Sequence, residues 1–70
     1  MGNLCIYPDK CAGGYRLLLV QRNISGYRPT KYGAFKSEEA AWDKAMELNE
    51  DMGIYSKEAV LEIVGSAMGD

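Results

Sequence analysis

Tyr15-Arg16-Leu17-Leu18-Leu19-Val20-Gln21-Arg22-Asn23 is the stretch on which the fold turns. It lies between Gly13-Gly14 and Ile24-Ser25-Gly26, and reads as a strand bounded by turn residues. Helix is the competing reading, because leucine is a good helix former; the flanking glycines and the shortness of the run favour the strand. Alternation then places Tyr15, Leu17 and Leu19 on one face, and Arg16, Leu18, Val20 and Arg22 on the other. The first set predicts core beneath a helix. The second has cations at both ends of an apolar centre.

Outward from this strand the chain divides readily. Asn3 to Tyr7 predicts a short strand ended by a turn at Pro8-Asp9. Tyr27 to Phe35 predicts the hairpin partner. Pro29 cannot donate to a ladder and so puts that strand at an edge or makes it irregular near its start, and Gly33 suits a bulge or a close backbone approach. Ser37-Glu38-Glu39 opens a helix over Ser37–Asp51: the hydroxyl accepts an orphan amide and the carboxylates complement the dipole. Ala41, Ala45, Leu48 and Met52 share one of its faces, with Trp42 and Met46 beside them. Glu39, Asp43, Glu47 and Glu50 line another, and Gly53 stands at the C′ position. Ser56 caps a second helix whose apolar stripe is Ala59 or Val60, Ile63, Val64 and Ala67; Gly65 and Gly69 weaken its end. The expected class is α+β, a small antiparallel three-stranded sheet packed on one helix, plus a C-terminal helix. That last helix either covers the face carrying Leu18 and Val20 or docks on a second copy.

Charge is divided as sharply as structure. Residues 1–36 hold six cations (Lys10, Arg16, Arg22, Arg28, Lys31, Lys36) against Asp9 alone, whereas residues 37–70 hold two cations against nine anions, for a net −2. An anionic partner is therefore expected to meet the strand half. Seventy residues, 47% of them apolar, predict a single domain over 1–70. Met1-Gly2-Asn3 lacks the basic start of a secretory signal and Ile6 replaces the hydroxyl of a myristoylation motif. No apolar run approaches the ~20 residues that span a bilayer. A cytoplasmic protein without membrane contact is the expectation. Cys5 and Cys11 are the only cysteines and histidine is absent, so no metal site and no cofactor are expected. The two thiols are either free or, if Tyr7-Pro8-Asp9 turns the chain, bonded. Nucleophile, Walker loop and paired acid–base carboxylates are all missing from the pattern, and no enzyme is expected.

Tyr15-Arg16, Gln21-Arg22-Asn23, Gly26-Tyr27 and then Tyr32-Gly33-Ala34-Phe35-Lys36-Ser37-Glu38-Glu39-Ala40-Ala41 together resemble the small three-stranded-sheet-plus-helix DNA-binding domains. These are the ethylene-response-factor type of plants and the arm-binding domains of phage and transposon integrases. The likeness covers residues 14–52: an aromatic-basic strand, a glycine-containing hairpin, and a Gly-x-Phe-x-Ser passage into an alanine-rich helix. It implies a small nucleic-acid-binding protein of phage or mobile-element type that holds DNA on the sheet face away from the helix. By position that role falls on Arg16, Arg22, Arg28 and Lys31, with Tyr27 as a sugar or base contact. Leu18 and Val20 depart from the pattern, standing where polar or basic residues are the rule. An apolar pair between arginines equally fits a protein interface, and the alternative reading is a protein-interaction module: a homodimeric adaptor, or an inhibitor of a nucleic-acid-handling partner that uses the acidic stripe of the first helix.

Overall fold

The computed structural model describes residues 3–68; Met1, Gly2, Gly69 and Asp70 lie outside them. Strands β1 (Leu4–Cys11), β2 (Gly14–Gln21) and β3 (Arg28–Phe35) form an antiparallel sheet in the order β1-β2-β3, followed by helices α1 (Glu38–Asp51) and α2 (Lys57–Met68). The class is the expected α+β. Strand β1 does not stop at Pro8-Asp9, however, but runs straight on to Cys11. The Arg22 amide donates to the Asn3 carbonyl, so residues 3, 5, 7, 9 and 11 bond to β2, while Pro8, opposite Leu17, has its nitrogen turned away. The imino nitrogen costs the ladder nothing there. Cys5 and Cys11 consequently stand six residues apart on one extended strand, roughly 20 Å, beyond the reach of a disulfide. Both thiols are free.

Ala12 and Gly13 make the β1–β2 turn, with Gly13 in the left-handed region at φ 87°. Gly14 follows at φ 143°, and any Cβ there would collide with the Phe35 carbonyl. Only glycine lets β2 and β3 close at this point.

Both faces of the sheet are covered. Leu17 and Leu18 are neighbours in sequence, point to opposite sides, and are 0% and 1% exposed. On one side Ile6 and Leu17 pack on Ala41 and Ala45 of α1, flanked by Phe35, Tyr32 and Leu19. The two alanines, one turn apart, let the helix backbone come close. On the other side Cys5, Leu18 and Val20 pack on Val60, Ile63 and Ala67 of α2 and on Ile54. Trp42 touches both clusters, and its ring meets Tyr7 edge-on with centroids 6.1 Å apart.

The helix ends follow their cap chemistry. Ser37 Oγ accepts from the Ala40 amide and Ser56 Oγ from the Ala59 amide, each at 3.1 Å. Gly53 leaves α1 at φ 84°. Lys57 Nζ sits 4.9 Å from the Trp42 ring centroid and ties the start of α2 to α1.

Each edge of the sheet is closed to pairing by a different device. On β1, Asn49 of α1 is fully buried; its Oδ1 accepts from the Ile6 amide at 2.6 Å and its Nδ2 donates to the Ile6 carbonyl at 3.0 Å. One carboxamide thus takes the place of a neighbouring strand. On β3, the register slips twice against β2, between Pro29 and Gly33 and again before Phe35. Thr30 bridges the slip: its hydroxyl donates to the Leu17 carbonyl at 2.7 Å and accepts from the Tyr32 amide at 3.2 Å. Proline, lysine and bulges on an edge are features that discourage strand addition.

Candidate binding surface

The five residues expected to share an open sheet face do not lie together on one. Arg16 and Tyr27 do meet, with Arg16 Cζ 5.6 Å from the Tyr27 ring centroid. Arg16 Nε also donates to its cross-strand neighbour Asp9 at 3.2 Å, a half-exposed pair, and this hydrogen bond raises the guanidinium pKa further. Arg22 is half-buried at the end of β2, where its charge acts on the Cys5 thiol. Arg28 stands opposite Leu19, on the side of the sheet that α1 occupies. Lys31 is over Tyr32 at 5.7 Å, a ring that Lys44 of α1 approaches at 5.4 Å, so it too belongs to the α1 side.

The centre of the expected face is roofed over. Leu18 and Val20 lie under Val60, Ile63 and Ala67. The stripe on α2 requires an apolar surface to bury against, and the departure of Leu18 and Val20 from the resembled pattern supplies it. Burial of that pair is what α2 gains by docking here.

What the sequence reading passed over is the open end of the sheet. There Leu4, Leu19 and Gln21 meet the β2–β3 loop in a hollow of about 330 Å³, completed by Ile24, Ser25, Gly26, Tyr27 and Arg28. Leu4, Ile24 and Tyr27 are 39%, 53% and 49% exposed. The loop holding two of them is firmly shaped. The Ile24 amide donates to the Gln21 carbonyl at 3.2 Å, and Asn23 takes the left-handed φ of 62° that asparagine tolerates. The Asn23 amide donates to Ser66 Oγ at 3.0 Å, and that hydroxyl donates to the Ile63 carbonyl at 2.8 Å. The loop is therefore pinned to α2. Leu4 and Ile24 are presented together at this end, and Tyr27 borders them with its ring against Arg16; clustered exposure is the informative kind. No family model matches the chain, and no curated protein or solved structure matches it either.

The electrostatics of the hollow are one-signed. Arg28 is among its lining residues, and none of them is a carboxylate. The signal in the sequence was Ile24, an isoleucine set among the turn residues Asn23, Ser25 and Gly26, but its convergence with Leu4 and Leu19 depends on the hairpin register.

Glu38, Glu39 and Asp43 surround Trp42, but Lys57 already occupies that ring. Cys5 is fully buried with Sγ 3.9 Å from the Val60 carbonyl. Burial pushes its pKa from 9.0 up to about 11, against a lowering by Arg22. The folded thiol therefore holds its proton where the unfolded one has lost it, so its contribution to stability is complete below pH 9.0 and disappears towards pH about 11. Urea midpoints measured from pH about 8 to about 11 should fall more steeply for the wild type than for Cys5→Ala. Native protein treated with a thiol reagent should be labelled at half-buried Cys11 first, and at Cys5 only as the chain unfolds; equal labelling rates would contradict the burial.

Proposed function

We propose that this protein is a small non-enzymatic protein-interaction module that engages its partner at the open end of the sheet. The observation that carries the reading is the hollow framed by Leu4, Leu19, Ile24 and Tyr27. Apolar groups cluster there at the surface, on a molecule whose sheet faces are both covered and whose sheet edges are both guarded. Buried apolar and aromatic anchors are what protein interfaces spend most of their binding energy on. The sheet-face grip on DNA implied by the resemblance loses support, because α2 occupies that face. The non-enzymatic part rests on the absence of histidine and on the described residues, which bring no three potential metal ligands together.

Selection of a random peptide library on the immobilised protein tests this reading, with the site mapped by amide chemical shifts. Selected peptides should carry a bulky apolar residue, shift Leu4, Ile24 and Tyr27, and lose binding when Ile24 is changed to Asp. Duplex DNA titrated in parallel should show no affinity. Binding to duplex that weakens by orders of magnitude between roughly 50 and 200 mM salt would replace the protein reading with the nucleic-acid one.

A further inference from the structure

Resting on that reading, we infer that the partner is an extended acidic segment whose single bulky apolar side chain seats in the hollow between Leu4, Leu19, Ile24 and Tyr27, with its carboxylates facing Arg28. Three observations lead there. The first is size: about 330 Å³ is at the bottom of the ~300–1,000 Å³ range of ligand pockets, suited to an anchoring side chain rather than a whole domain face. The second is sign. The hollow is lined by Arg28 and by no carboxylate, and the strand half of the chain carries the surplus of cations.

The third is the opposite charge of the rest of the molecule. Glu39, Asp43, Glu47 and Glu50 are exposed on α1, and Glu58 and Glu62 on α2. An acidic segment is repelled by both helices and steered to the sheet end, whereas a basic one is drawn away from it. The guarded edges further limit the mode of binding: the segment anchors by its side chain and does not extend the sheet.

The test uses the full chain and three synthetic peptides sharing one central Phe, flanked by Asp/Glu, by Ser/Asn or by Lys/Arg. Affinity is read from chemical shifts of the wild type, Arg28→Gln and Arg28→Glu. The acidic peptide should bind about two- to fivefold more tightly than the neutral one, the worth of one exposed charge contact. It should lose that advantage in Arg28→Gln, and Arg28→Glu should reverse the order. Equal affinity for acidic and neutral peptides overturns the charge inference and leaves the module standing; so does preference for the basic peptide. Absence of shifts at Leu4, Ile24 and Tyr27 with all three overturns the hollow as a docking site. An oligothymidylate of matched charge binding as tightly as the acidic peptide overturns the assignment to a protein segment. Concentration-dependent dimerisation abolished by Ile24→Asp would assign the hollow to a second copy instead.

Discussion

Replacing Asn49 by Leu should remove about half or more of the stability of this domain. Asn49 satisfies both backbone groups of Ile6 on the outer side of β1, at 2.6 and 3.0 Å, in a place with no exposure to solvent. Leucine fills a similar volume but leaves a buried N–H and a buried C=O without partners, at about 1–3 kcal/mol each. A domain of this length has roughly 3–10 kcal/mol in total, so the expected loss is about half of it or more. Urea denaturation followed by circular dichroism measures it. The Asn49→Asp variant separates hydrogen bonding from volume. The carboxylate keeps an acceptor for the Ile6 amide, loses the donor, and sets a negative charge against the Ile6 carbonyl. Its pKa must rise in the fold, so stability should be highest below about pH 4 and fall as pH increases through the raised value. Wild type lacks that pH dependence at this position. If Asn49→Leu unfolded within about 1 kcal/mol of wild type, the amide would not be holding the edge.

Leu18→Lys should prevent folding at room temperature. Leu18 is 1% exposed under Val60 and Ile63. Losing its side chain alone costs about 2–5 kcal/mol, and an ammonium in its place must be desolvated or drag α2 off the sheet. The substitution also discriminates between functions. In the resembled DNA-binding domains this position faces the nucleic acid, and a lysine there would be tolerated and would strengthen duplex binding. Leu18→Met, nearly equal in volume, should cost less than about 1.5 kcal/mol and serves as the control. Folded Leu18→Lys protein with undiminished thermal stability would show that α2 does not hold this face.

The elements of the fold were legible where local chemistry decides them. Ser37 and Ser56 as caps, Gly53 as the exit from α1, Pro29 at an edge and slippage near Gly33 all rest on interactions within a few residues. What escaped depends on long-range register. Pro8 reads as a turn until it is known which amides of β1 face β2. Asn49 has Glu47, Glu50 and Asp51 close by in sequence and looks like part of a solvated face; yet it continues the i, i+4, i+8 series of Ala41 and Ala45, and the strand edge it meets is 43 residues away. The site was least legible. Alternation sorted the β2 residues correctly, but it does not say which faces are covered. The continuous run Leu17-Leu18-Leu19-Val20 held that information, because a strand buried on both sides loses the polar half of its alternation. Arg28 and Lys31 were grouped with Arg16 by charge, but the hairpin register sets Arg28 opposite Leu19 on the α1 side, and only Lys31 lies in the slipped part of β3.

The chain has one tryptophan, and its indole is wedged where the two apolar layers join. Any loosening of either layer changes the surroundings of the same fluorophore, so neither can melt silently. Emission from Trp42 should therefore respond whichever layer loosens first, and its coincidence with the loss of helix across denaturant concentrations tests whether the two layers unfold together.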